Sequence, residues 1–417
     1  MDSQSEPAGT LLPAMPTDGS QTDFSCLPLD LVQEILARVP VKDLVRSRSV
    51  SQLWNRVTYQ KKFILKHASL ANPHLFLSFS ESSTVFNLVH RIDGEQISLE
   101  SPFDTEYKLI QVIGSSHGIM CLVESGNVIL WNPSIRKKSI FLTNLCSSVV
   151  KGQHVHVVYG FGHTHEFEFK FAAIEQFENE AKSIMKIGTA GPTSWTNINE
   201  LALDFNSFDL IDSAKLVQES LNWFSGKEIV CLDLNKEKIR MLKTPNCGGT
   251  WSGSKDTIGC WKDKLGFLCR DTMLSEVWIM QIYGDEKSWI KLFSIPHLDV
   301  FGSPYVNGIH YISENNKTLM TVMKDFKWEL IVFDPNDKKF ENYAGNKDML
   351  GKCEQVPRVE SKLRVFAFKI TFSAQVSDLR INLNTINDAT RETIVTLGNA
   401  LNQVKAFPLP IELYIPK

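Results

Sequence analysis

Apolar positions along the chain change their period once, near residue 70. Before that point Val32, Ile35, Leu36 and Val39 follow at steps of three, one and three, which is one face of a helix. Pro40 stops this helix, because its ring clashes with the preceding turn. Leu27-Pro28 ahead of it is an extended pair, since a residue before proline is pushed out of the α region. Pro28 is tolerated in a first turn, where its missing N–H costs nothing. A second short helix carries Leu44 and Val45. A third starts near Ser51, a good N-cap residue, and presents Leu53, Trp54 and Val57. Three short helices in so short a stretch bury little surface of their own. By spacing alone they read as a cap on the main domain or as a module whose apolar face seeks a partner.

From about residue 70 to residue 345 short apolar runs are split by Gly, Asn, Asp and Pro turns, the pattern of an all-β domain. Phrases recur. Val128-Ile-Leu-Trp-Asn-Pro-Ser-Ile-Arg-Lys137 returns as Ile229-Val-Cys-Leu-Asp-Leu-Asn-Lys-Glu-Lys238 and as Leu330-Ile-Val-Phe-Asp-Pro-Asn-Asp-Lys-Lys339. A second phrase precedes it: Ser116-His-Gly-Ile-Met-Cys, Leu221-Asn-Trp-Phe, Asn307-Gly-Ile-His-Tyr. A third places serine before tryptophan, at Thr193-Ser-Trp-Thr196 and Lys287-Ser-Trp-Ile-Lys291. The quoted equivalents lie roughly ninety to a hundred residues apart, two units of about forty-five to fifty-five residues, the size of a four-stranded propeller blade. The tryptophans are expected between blades, as core.

After about Lys347 the pattern departs. Phe366-Ala-Phe-Lys-Ile-Thr-Phe372 alternates as a strand, with Arg380-Ile-Asn-Leu-Asn384 as a pairing partner. Asp388 caps a predicted helix bearing Ile394, Leu397, Leu401 and Val404. An appended element, a last blade plus helix, and an artefact of gene prediction all fit this extension, 348–417.

At 417 residues two or three domains are expected. A formal charge of −3 and a pI near 6.4 lack the basic footprint of a nucleic-acid binder. No apolar run is long enough to span a membrane. Residues 1–23 are polar, unlike a secretory signal, and read as a disordered tail. Cys26, Cys121, Cys146, Cys231, Cys247, Cys260, Cys269 and Cys353 form no Cys-x-x-Cys pair, so free thiols in a reducing compartment, cytoplasm or nucleus, are expected. The sequon at Asn316 is then irrelevant.

The ordered set Leu27-Pro28, Ile35-Leu36, Val39-Pro-Val-Lys-Asp-Leu44, Val50 and Trp54 resembles the F-box, over residues 24–67. Ser47, Ser49 and Gln52 depart from the common pattern of its third helix. The resemblance implies that Leu27, Pro28, Ile35, Leu36, Leu44, Val50 and Trp54 form, or directly support, the interface to a Skp-type adaptor and through it a cullin. Trp131-Asn-Pro-Ser-Ile-Arg-Lys, Tyr159-Gly-Phe-Gly, Leu221-Asn-Trp-Phe, Val277-Trp-Ile-Met and Ser288-Trp resemble the F-box-associated, kelch-like domain of plant F-box proteins, placed at 68–347. The implied fold is α+β multidomain: a small all-α F-box of three short helices, then a mainly antiparallel all-β propeller-like domain.

Chemistry is sparse. His154, His156, His163 and His165 cluster, and His-x-His on a strand points to one face, yet no cysteine or carboxylate set completes a zinc site. Gly248-Gly-Thr-Trp-Ser-Gly253 lacks the Gly-Lys-Ser/Thr end of a phosphate loop. No Gly-x-Ser-x-Gly elbow is present. No catalytic residue, metal or cofactor is assigned, and neither nucleic acid nor membrane is expected as a partner. Three functions remain: the target-binding subunit of an SCF-type (Skp–cullin–F-box) ubiquitin ligase with an unknown target protein, a propeller oxidase or hydrolase, and an F-box scaffold outside a ligase.

Overall fold

The computed structural model describes residues 28–70, 73–81, 84–91, 96–97, 110–124, 127–133, 137–142, 155–177, 183–189, 195–201, 213–247, 256–271, 274–296, 306–324, 327–343 and 362–369. Residues 73–81, 84–91, 96–97 and 362–369 are described by backbone alone.

Helices come first. α1 (Leu29–Arg38) begins directly after Pro28, whose carbonyl accepts from Leu31 N at 3.0 Å and Val32 N at 3.1 Å. α2 (Val41–Ser47) repeats this device behind Pro40. α3 (Gln52–Thr58) is capped by Ser51, whose hydroxyl accepts from Leu53 N at 3.1 Å. A further helix, α4 (Lys61–Leu70), adds to the three expected ones. Its inward Phe63, Ile64 and His67 are too few to have announced a face in the sequence. Val32, Leu36, Ala37, Val41, Leu44, Val57, Phe63 and Ile64 close one small apolar cluster between the four helices.

Strands dominate the rest of the described residues, in six four-stranded antiparallel sheets. The second sheet holds β4 (Ile110–Ser116), β5 (Ile119–Glu124), β6 (Asn127–Asn132) and β7 (Lys137–Leu142) in that order. The third holds β8 (Val155–His163), β9 (Phe169–Phe177), β10 (Ser183–Thr189) and β11 (Trp195–Leu201). The fourth holds β12 (Lys215–Val217), β13 (Ser220–Phe224), β14 (Glu228–Asp233) and β15 (Lys238–Lys243). In the fifth are β16 (Thr257–Trp261), β17 (Lys264–Arg270), β18 (Leu274–Met280) and β19 (Trp289–Pro296). In the sixth are β20 (Val306–Ile312), β21 (Thr318–Lys324), β22 (Lys327–Asp334) and β23 (Lys339–Asn342).

The first sheet is assembled from both ends of the propeller. β1 (Pro73–Glu81), β2 (Thr84–Arg91) and β3 (Gln96–Ile97) are joined by β24 (Lys362–Lys369), which pairs with β1 from Pro73 opposite Lys369 to Ser80 opposite Lys362. The innermost strands β4, β8, β12, β16, β20 and β24 touch in that order, and β24 touches β4 in turn. The result is a closed six-bladed propeller. β24 lies beyond residue 347, so a strand of the extension completes the first blade. Residues 370–372 and 380–384, and the helix expected after Asp388, lie outside the described residues.

The recurring phrases have physical jobs. Tyr159 and Phe161 on β8 pack with the second blade. A Cβ at Gly160 would stand 2.7 Å from Trp223 Cζ2 and 2.8 Å from Ala214 Cβ, so the alternate glycine leaves room for the fourth blade. Trp223 Nε1 then donates to Tyr159 O at 3.3 Å, and Trp261 Nε1 to Ile309 O at 3.3 Å on the next-but-one blade boundary. Trp289 Nε1 donates to Lys243 O at 3.1 Å. Each of these three tryptophans thus satisfies its one donor across a blade boundary. Between the third and fourth strands, Asp233 Oδ1 accepts from Asn235 N and Lys236 N, both at 2.9 Å, and Asp334 Oδ1 from Asn336 N at 3.0 Å. This is the side-chain turn that the recurring Asp supplies.

Candidate functional site

α1 is apolar on two sides. Val32 and Leu36 point into the helical cluster, whereas Leu31 and Ile35, one turn apart, are each 49% exposed. Val50, just beyond α2, is 53% exposed. Among the described residues, seven of ten exposed large apolar side chains lie between residues 28 and 70, although the propeller is much the larger part. Exposed apolar side chains are thus concentrated on the helices among the described residues.

The expected interface residues therefore separate. Leu27 lies outside the described residues. Pro28, Ile35 and Val50 are exposed. Leu36, 1% exposed, and Leu44, 0% exposed, hold the core beneath them, and Trp54 packs half-buried against that core. Leu31 joins the outward set. Its signal was present in the sequence, four residues before Ile35, but it falls off the face that Val32 and Leu36 define. Glu34 ties α1 to α4 by accepting the Arg38 guanidinium and the Lys66 ammonium, and these bonds hold its carboxyl below the usual range. The pair groups are exposed, so they steer orientation more than they stabilise.

Beneath this surface the helices meet the propeller. Phe167, in the turn between β8 and β9, is buried in the same apolar cluster as Leu36 and Leu44. Lys61 of α4 donates to His165 O, and its ammonium lies 4.7 Å from the Phe167 ring centre. His165 N donates to Asn235 Oδ1 at 2.9 Å. Nothing local in Thr-His-Glu-Phe-Glu marks this phenylalanine as a contact to helices more than a hundred positions away; only the folded chain brings them together.

The histidine cluster disperses. His154 lies outside the described residues, and His156 sits exposed near the opposite end of β8 from His163. His163 instead meets His117, ring centres 4.1 Å apart, and Ser116 Oγ lies 2.8 Å from His163 Nδ1 and 3.1 Å from His117 Nδ1. A serine beside an imidazole suggests a nucleophile and its base. Here one buried hydroxyl is shared by two rings under Phe167. Burial, with Lys61 adding repulsion, takes His117 down to about 4, and burial, His117 and Lys61 take His163 down to about 3. Both rings are neutral at pH 7 and share the Ser116 hydroxyl. Among the described residues no set of three or more His, Cys, Asp or Glu side chains is placed to hold a metal ion. The loop 248–253 lies outside them.

Residues 24–66 match the F-box domain, and residues 63–342 match the F-box associated beta propeller domain. An F-box/kelch-repeat protein of Arabidopsis thaliana is 26% identical over 344 residues, 77% of this chain and 91% of its own length. Formin-like protein 3 of Oryza sativa subsp. japonica is 59% identical over 96 residues, but these cover 18% of this chain and 8% of the formin-like protein. Among solved structures, an oligogalacturonate lyase from Vibrio parahaemolyticus superposes with a TM-score of 0.36 at 7% identity, over 62% of this chain and 70% of the lyase. That likeness is too loose to transfer chemistry. The two domain matches together span the helices and the propeller blades, and the chain belongs to the plant F-box proteins that carry an F-box-associated β-propeller domain.

Proposed function

We propose that this chain is the target-binding subunit of an SCF-type ubiquitin ligase, acting in the cytoplasm or nucleus. F-box domains generally bind Skp-type adaptors. The observation that carries the reading for this chain is the outward apolar set Leu31, Ile35 and Val50, mounted on a packed helical core and left uncovered by the propeller. The adaptor covers this set, and the cullin follows through the adaptor. The propeller binds the target protein. In this reading the target sits at the edge of the ring away from the β8–β9 turn that meets the helices. The ligase then works by proximity, since holding a lysine near the ubiquitin carrier raises its effective concentration.

Half-exposed side chains still have about half their apolar area to bury. Three of them contribute about 3 kcal/mol, or roughly a hundredfold in Kd. The test is co-purification of the full chain with a plant Skp-type adaptor, wild type against the Leu31→Ala, Ile35→Ala, Val50→Ala triple variant. A complex with the wild type that the folded variant loses supports the reading. A variant that binds as well as the wild type, or a wild type that does not bind, overturns it.

A further inference from the structure

One aromatic residue of the propeller lies inside the core of the helical module. Phe167 is 7% exposed and shares its cluster with Val32, Leu36, Leu44 and Ile64. Its φ of 69° is left-handed, a region an aromatic residue occupies only when its surroundings hold it there. Three blades do so. Within its own hairpin, Phe167 N donates to Thr164 O and Thr164 N to Glu168 O, both at 2.9 Å. From the fourth blade, Asn235 Oδ1 accepts from His165 N at 2.9 Å, and the Asp233 carboxylate fixes Asn235. From the second blade the His117 ring stands 4.5 Å from the phenylalanine ring. Lys61 closes the contact from the helical side.

We propose that Phe167 is a positioning residue for ubiquitin transfer: a plug that sets the orientation of the helical module, and of the adaptor it carries, on the propeller that holds the target. The proposal rests on the ligase reading above. Besides the chain's own crossing from α4 to β1, the buried Phe167 and the Lys61 bond join the helices to the propeller, and this contact sets one orientation. Transfer by proximity depends on a narrow geometry, because the effective concentration of a lysine at the carrier falls when the mount loosens.

The test uses the full chain as wild type, Phe167→Ala, Phe167→Leu and Lys61→Ala. Small-angle scattering reads the arrangement without any adaptor. In the assembled ligase, mass spectrometry of self-ubiquitination reads which propeller lysines reach the carrier. The expected result is a larger maximum dimension and a wider set of modified lysines for Phe167→Ala, at unchanged adaptor affinity, with both restored by Phe167→Leu. An unchanged dimension and the same lysines at lower yield would make Phe167 ordinary core and overturn the proposal. If Phe167→Ala loses the adaptor because the helices unfold, Lys61→Ala, which removes an exposed side chain and its bond to His165 O, takes its place with the same two outcomes. A wild type that binds no adaptor removes the ligase reading alone, and scattering still decides whether Phe167 fixes the two parts.

Discussion

Ile35 and Leu36 stand side by side in α1, yet the first is half exposed and the second is among the most buried residues of the helices. Truncating them should separate binding from folding. Leu44→Ala or Leu36→Ala removes a fully packed side chain and should lower the stability of the helices by about 2–5 kcal/mol, read as lost helical circular dichroism at a lower denaturant concentration. Ile35→Ala should change stability by less than about 0.5 kcal/mol while weakening the adaptor complex. A Leu44→Ala chain as stable as the wild type would contradict the packing described. Gly160 makes a similar point in the propeller. Gly160→Ala puts a methyl against Trp223 and Ala214, an overpacking expected to cost about 1–3 kcal/mol and visible as a lower midpoint of propeller unfolding. The apolar character of Ile35, Leu36 and Leu44 was legible in the sequence. Which of them points outward was not, because α1 has apolar residues on both sides and spacing alone cannot choose between them.

At the scale of elements, the hairpin of β8 and β9 does two jobs that its sequence shows unequally. Tyr159-Gly-Phe-Gly announced a strand, and the large-small alternation is what a strand packed between two blades needs. The turn that follows carries no such pattern, and its role depends on α1, α2 and α4 being folded above it. The same packing fixes its response to pH. His117 and His163 titrate near 4 and near 3 in the folded chain, against about 6.5 when unfolded. Between these values the unfolded chain binds more protons, so the stability these rings contribute is full above about pH 6.5 and is lost as pH falls through 4 toward 3. Denaturant midpoints between pH 7 and pH 4.5 should therefore fall more steeply for the wild type than for His163→Gln, which keeps a hydrogen-bonding group beside Ser116 but takes up no proton. Parallel slopes would show that the imidazole pair does not drive the loss.

The whole molecule is held together by closure. β24 pairs with β1 along eight residues, so the first blade has its four strands only when both ends of the propeller are present. A chain ending before Lys362 should lose this pairing, with faster amide exchange in β1 and a lower thermal midpoint. A shortened chain that melts with the wild type would show that the remaining strands close the ring by themselves. The repeat spacing in the sequence marked out blades, but it did not count them. Each phrase reports one blade's turn or strand, and the closing strand belongs to no complete repeat.

The sequence by itself determined the local matters: helices ended by Pro40 and capped by Ser51, strands bounded by Asp, Asn and Gly turns, tryptophans at blade boundaries, and the order of F-box and propeller. These follow from backbone sterics and side-chain periodicity, which act over a few residues. The tertiary structure decided the number of blades, the partner of β24, the outward face of α1, and the burial of Phe167 in the helical core. Each of those depends on surfaces brought together from distant parts of the chain, and such a meeting leaves no period in the sequence to read.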